Sequence, residues 1–558
     1  MFRQDKHIRG RKRIPYLVAR RIAAEQLQAG DVGIQWGGVT LPSKAKYKGF
    51  FVMGEQGSGK TLSFYLLLHE AFKKGDAQKT RAVVYDYKMN IAPFLTGKLG
   101  ISEDRIKIMN PYDTRACGWD MQADIGDWDV ALEVAYNFVP EQDNEGSGRF
   151  FTEAARLCFH GVIMYFVYRT REREKENATR KSEGKPELEP IRWTFRDVLE
   201  GLRRESRMRQ MFERYPSLEE SLDYLNRSNN EVLAAIRTYT TKFRSIAARW
   251  QGKELISLRK WYEEDDGKIL ILGYDADRAF PLSILNRLLL QRIPKTVQGS
   301  IKAERPDVWI LLDEFHSLGY IPEFSQYAAT LRDYRGTLGV ATQGIKQIEK
   351  HFKEEADTIA EELSSRAFLR CSKSSADFAS LFIQDAEKNV RGRGISFGAG
   401  QNITYSNNDS PQSQRVVTPS ELSTLPMMYT RDDFGGFYLT SFLDDVYYHK
   451  ITRRDLEHVW VEGGIKQDYR RETDPDAAEL SPWSKEDFEK FNLDSDERGV
   501  QNGAETNKSE GREQEAEQQP GTFAMLMNKA AKPISKESVL SNEKTIESLA
   551  KRGIVINE

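Results

Sequence analysis

The chain has 558 residues, of which 39% are apolar, 11% aromatic and 30% charged, a balance that fits a soluble globular protein of two or three domains and excludes a fibre. Lys and Arg number 82 against 84 Asp and Glu, so whole-chain charge points to no polyanionic partner, although residues 1–48 carry a net +8 and residues 467–520 a net −9. Three widely separated cysteines, Cys117, Cys158 and Cys371, exclude a disulfide framework and a paired-cysteine metal site, and fit a reducing cytoplasm.

In chain order, the basic segment 1–48 leads into a short apolar run, Gly49–Met53. Similar β-branched or aromatic runs recur at Arg81–Tyr85, Lys268–Leu272, Val308–Leu312, Thr337–Thr342, Arg366–Arg370 and Gly436–Thr440. Several are apolar throughout, as strands covered on both faces must be, and helical stretches separate them. The pattern predicts an α/β fold with a mostly parallel central sheet. Between residues 150 and 259 helical periodicity takes over, at Phe151–Tyr168, Phe195–Arg214, Leu218–Leu225 and Asn230–Trp250, which predicts an inserted all-α domain. Its longest apolar run, Leu157–Tyr168, falls short of the roughly 18 residues that cross a bilayer and reads as a buried core helix. Residues 169–192 are charged and nearly free of apolar groups, and read as a mobile loop. Residues 392–413, rich in Gly, Asn, Ser and Gln, read as a flexible excursion. From residue 467 the composition turns polar and acidic, the mark of a largely disordered tail, with two apolar islands, Phe523–Met527 and Ile546–Ile556, suited to folding on a partner.

Chemistry is concentrated in two stretches. Gly54-Glu55-Gln56-Gly57-Ser58-Gly59-Lys60-Thr61 follows an apolar strand pattern and opens a helix pattern. Such an arrangement aims backbone N–H groups and a helix N-terminus at phosphate oxygens, with Lys60 reaching the β- and γ-phosphates of ATP and Thr61 ligating Mg²⁺. A second stretch ends the apolar run Val308–Leu312 in Asp313 and Glu314. Asp313 is expected to hold the Mg²⁺ and Glu314 to polarise the attacking water. Gln343 closes the next strand pattern, where its amide would sense the γ-phosphate. Arg332 and Arg335, on the helix pattern between, are candidates for stabilising charge in a neighbouring subunit's site.

The stretch LLDEFHSLGYIPEFSQYAATLRDYRGTLGVATQGIKQIEK resembles the Walker B block of type IV secretion coupling proteins, the TraD/TrwB group within the FtsK/HerA-like motors. IRGRKRIPY, IQWGGVTLP, MNPYDTRACGWD, ISLRKWYEEDDGKILIL and RVVTPSELSTLP agree in order, so the resemblance spans about residues 8 to 455. It implies a RecA-like P-loop domain in two parts, 49–149 and 260–455, with the all-α domain 150–259 inserted, a basic segment 1–48 ahead and the acidic tail 467–558 behind. It further implies a hexameric ATPase that binds DNA, expected to be single-stranded, and delivers a relaxase-bound strand to a secretion channel. Lys60 and Thr61 match the family's phosphate-loop pair, Asp313 and Glu314 its acids, Gln343 its strand-end glutamine and Arg332 its trans-acting arginine. Lys48 stands where a relative has an arginine, at an edge expected to contact nucleotide. Family members usually carry transmembrane helices ahead of the motor. This chain begins almost directly at the soluble part, so it is either a truncated reading frame or a cytoplasmic form brought to the inner membrane face by its basic head or a separate membrane subunit. A HerA- or FtsK-like translocase in repair or segregation, and a docking receptor gated by nucleotide, are the alternatives.

Overall fold

A computed structural model describes residues 6–495, apart from 74–78, 141–146, 228, 398–402, 429–436 and 442–444. Ten strands form its main sheet: β1 (Arg13–Ile14), β2 (Phe50–Met53), β3 (Arg81–Asp86), β4 (Ile106–Ile108), β5 (Ile269–Gly273), β6 (Val308–Leu312), β7 (Gly336–Thr342), β8 (Ser365–Phe368), β9 (Phe437–Ser441) and β10 (Val446–Lys450). Their order across the sheet is β1-β10-β9-β8-β2-β7-β6-β3-β5-β4. From β8 to β4 all neighbours run parallel, while β9 and β10 extend the sheet antiparallel.

Every residue of β2, β3, β5, β6 and β7 is buried, which is why these strands read as unbroken apolar runs rather than alternating ones. Alternation decides which layer each side chain joins. Phe50, Val52, Trp309 and Leu311 pack into the core on one face, and Phe51, Met53, Ile310 and Leu312 into the core on the other. Register then sets the working edge: Met53 lies opposite Thr342 and Val340 opposite Leu312, so the chain leaves β2, β7 and β6 at one level, with β3 level beside them.

The helical insertion differs in two respects from its sequence expectation. It begins before residue 150, because the helix Trp128–Phe138 packs directly against the long helix Ser147–Ser182. And residues 169–182, read as part of a mobile loop, continue that helix. Charged side chains hold it. Arg169 pairs with Glu172, while Asn177 exchanges hydrogen bonds of 2.8 and 2.9 Å with the backbone of Leu188 on the returning segment. Those contacts offset the ordering entropy that composition alone leaves uncovered. Among the described residues one helix is long and apolar enough to span a membrane, Gly148–Ser182, and 78% of its apolar window is buried inside the protein.

Two further expectations are corrected. The excursion at 392–413 belongs to a long antiparallel hairpin, Asp385–Phe397 with Ile403–Arg415, to which Lys6–Gly10 adds a third strand. Strand pairing over its whole length supplies the order that Gly and Asn do not. The tail begins later than residue 467. Residues 467–495 form a strap: Asp468 N–H donates to Met89 O at 3.0 Å, and Glu472 N–H to Tyr112 O at 2.8 Å. Further on, Trp483, Phe488 and Phe491 are buried in the core shared with the helical insertion. Residues 496–558, with both apolar islands, lie outside the described residues.

Candidate nucleotide site at the sheet edge

The loop after β2 is strung between two neighbouring strand ends. Gly54 N–H donates to Thr342 O at 3.2 Å and Glu55 N–H to Arg370 O at 2.7 Å. Gly57 and Gly59 take φ of 79° and 112°, the left-handed region that glycine enters without a Cβ penalty. A Cβ on Gly54 would lie 2.4 Å from Ser58 Oγ, so the tight loop excludes side chains there as well. Gln56 and Gly57 form its exposed crest, and Ser58 is buried beneath. The following helix, Lys60–Phe72, starts with no side-chain cap, leaving its first-turn N–H groups and the positive end of its dipole as an anion site. Lys60 Nζ donates to Gly54 O at 2.8 Å and Glu55 O at 3.1 Å. Burial lowers its pKa, Lys88 adds to that, and Glu314 and Asp313 act the other way.

Across β7, the acids arrive from the end of β6. Asp313 is 1% exposed and its Oδ1 has no hydrogen-bond partner. Its carboxyl is raised above the ordinary range by burial, with Glu314 acting in the same direction and Lys88 and Lys60 opposing. Glu314 turns out of the strand at φ 55°, a conformation uncommon for any residue but glycine. Ser317 holds it there, its N–H and hydroxyl donating to Glu314 O at 2.9 and 2.8 Å. Gln343, at the end of β7, points Nε2 at both Glu314 carboxylate oxygens, 3.1 Å from each. Lys60, Thr61, Asp313, Glu314 and Gln343 therefore meet at one edge.

Two residues that sequence reasoning did not single out join them. Lys88, in the turn after β3, donates from Nζ to Thr61 Oγ1 at 2.6 Å. Asp86, the last residue of β3, is buried, and burial pushes its carboxyl up to about 6. The available signal was positional: a polar Asp-Tyr-Lys ending an apolar strand next to the one that carries the acids.

Lys48 and Arg332 are not brought to this loop within one chain. Both lie at the opposite ends of their strands, Lys48 ahead of β2 and Arg332 ahead of β7. The seven residues of β7 place Arg332 roughly 20 Å from Gln343 at about 3.3 Å per residue. The turns that carry them, Ser43–Lys48 and Leu331–Tyr334, pack on each other. Arg332 is exposed and its ion-pair neighbour is the adjacent Asp333 at 3.8 Å. Arg335, the other candidate, is held on its own chain by Asp307 at 2.7 Å, a carboxylate that Lys46 and Tyr47 also bind.

The architecture is shared with solved structures. TrwBΔN70, a bacterial conjugative coupling protein, superposes with a TM-score of 0.58 at 16% identity, over 84% of this chain and 96% of that one. TrwB in complex with ADP and Mg²⁺ gives 0.59 at 17% identity, over 85% and 98%. Identity at that level carries the fold, a RecA-like α/β domain with an inserted helical unit. Coupling protein TraD of Escherichia coli (strain K12) is 22% identical over 409 residues, 71% of this chain and 52% of TraD. The chain thus spans about half the length of that relative. Residues 33–435 match the family described as type IV secretion-system coupling protein DNA-binding domain. That match covers most of the sequence, and the chain belongs to the type IV secretion-system coupling proteins.

Proposed function

We propose that this protein is an ATPase that couples relaxase-bound DNA to a type IV secretion channel and drives DNA transfer in conjugation. The observation that carries the reading is the convergence of Lys60, Thr61, Asp313, Glu314 and Gln343 from three separate stretches of chain onto one sheet edge. The donor set suits Mg²⁺: a hydroxyl on Thr61 and, on Asp313, a buried carboxylate oxygen without a partner, both hard oxygen ligands. ATP with Mg²⁺ supplies the electrophilic phosphoryl group and a good leaving group. The chain supplies the rest. Gly54 to Thr61 bind and orient phosphates through backbone N–H groups, and Lys60 balances their charge. Glu314 accepts the proton of the attacking water, with Gln343 fixing the direction of its carboxylate.

Arg332 lies too far from its own loop to act there, which supports a role in the site of an adjacent copy and hence a closed ring, with six subunits the expected number. Lys48 shares its edge and would face the same neighbour. DNA, expected to be single-stranded, is supported by the description of the matched family. Station at the inner membrane face is proposed through the basic segment 1–48 or a separate membrane subunit. The deciding experiment compares wild type with Lys60→Ala for ATP turnover, with and without single-stranded DNA, and for DNA transfer between cells. Both activities should be lost together. Transfer that survives loss of hydrolysis would assign the protein to docking rather than driving.

A further inference from the structure

Lys88 stands where a cation is required. Its ammonium lies 2.6 Å from Thr61 Oγ1, so it uses a lone pair of the hydroxyl that a metal ion would need. We propose that the Lys88 ammonium competes with Mg²⁺ for the Thr61–Asp313 pair, and so makes metal loading depend on the arrival of a triphosphate. The proposal rests on the nucleotide-site reading given above.

Three features support it. First, a divalent ion and an ammonium cannot share one hydroxyl at contact distance, because charges a few ångströms apart in a partly buried site repel far more than in water. Second, Lys88 is free to leave. It is exposed, and its flexible four-carbon stem carries a point charge that can swing. The turn beneath it is fixed, with Ile91 N–H on Asp86 Oδ2 at 2.7 Å and Met89 O accepting from Asp468 N–H at 3.0 Å. The side chain therefore moves without the backbone. Third, an ammonium that leaves the Thr61 hydroxyl needs another acceptor. The terminal phosphate of a bound triphosphate offers charge-assisted acceptors at that edge. A metal ion alone brings no such acceptor and meets the lysine. A metal ion with a triphosphate supplies both the replacement cation and the destination.

Mn²⁺ titration of the full chain followed by electron paramagnetic resonance, without nucleotide, reads the competition directly. Lys88→Met should bind Mn²⁺ at least tenfold more tightly than wild type, with Lys88→Gln as a second neutral variant and Lys88→Arg, which keeps the charge, close to wild type. With a non-hydrolysable triphosphate present the difference between wild type and Lys88→Met should shrink severalfold. Unchanged or weaker Mn²⁺ binding in folded Lys88→Met and Lys88→Gln overturns the proposal. So does a loss of triphosphate affinity with Mn²⁺ affinity unmoved, which makes Lys88 a phosphate ligand only. Adding Asp313→Asn to Lys88→Met should cancel the gain. If tight binding persists in the double variant, Mn²⁺ sits elsewhere and the nucleotide-site reading fails, taking the proposal with it, whereas unchanged binding in Lys88→Met overturns the proposal alone.

Discussion

Gln343 offers one amide nitrogen to both carboxylate oxygens of Glu314, at equal distances of 3.1 Å, so the orientation of the proposed base is set by the strand that separates the phosphate loop from the acids. Glu314→Gln keeps the size and removes the proton acceptor. Steady-state ATP turnover should fall by about 10²–10⁴-fold, the usual contribution of a general base, while nucleotide affinity stays near wild type. Gln343→Ala should cost less, roughly tenfold, because Ser317 still holds the Glu314 backbone. A fall in nucleotide affinity equal to the fall in turnover would assign both residues to binding.

Arg332 makes a prediction about mixtures. If it completes the site of an adjacent copy, Arg332→Ala subunits titrated into wild type should lower ATPase activity more steeply than their mole fraction. Arg335→Ala should instead act through stability, since Arg335 is tied to Asp307. A linear fall for Arg332→Ala would place its effect inside one subunit.

His160 sets an acid limit on the helical insertion. The side chain is fully buried with the ring of Trp128 edge-on against it at 4.2 Å, and burial pushes the imidazole down to about 4 from an ordinary 6.5. The unfolded chain therefore takes up the proton first as pH falls. This contribution to stability is fully present above about pH 6.5 and is lost progressively between about 6.5 and 4. At pH 5 the loss is about 2 kcal/mol. Urea unfolding of His160→Leu should show a smaller decline in stability from pH 7.5 to 5 than wild type. Parallel declines would remove His160 from the acid response.

Trp483 is the anchor of the strap. It is 6% exposed, its Nε1 donates to Asp197 Oδ1 at 3.1 Å, and Arg207 lies over its ring at 4.7 Å. Trp483→Ala should destabilise the protein by about 3–5 kcal/mol, the range for removing a buried aromatic side chain, as measured by denaturant unfolding. A loss below about 1 kcal/mol would show that residues 467–495 add little to the fold.

The sequence made the central sheet legible because buried parallel strands leave uninterrupted apolar runs. Among the described residues each of the seven strand-like runs overlaps a strand, Val308–Leu312 without a residue of difference, while Gly436 lies outside them. The phosphate loop and the two acids were legible because their spacing is local. What was missed depends on contacts between distant segments. Lys88 meets Thr61 only because β3 and β2 end at one edge. The strap is too polar for a composition argument, since only a few residues such as Trp483, Phe488 and Phe491 face the core. The hairpin from Asp385 gains its order from strand pairing, to which Gly and Asn contribute no propensity.

The strap also fixes where the chain can be shortened. A protein ending at residue 466 would forfeit Trp483 and Phe491 and bare the aromatic ring they pack on, Phe166. Sticky, poorly folded material of that kind would mimic a specific loss of function. Shortening to Ser495 spares those anchors, and only there does an activity assay weigh residues 496–558 by themselves.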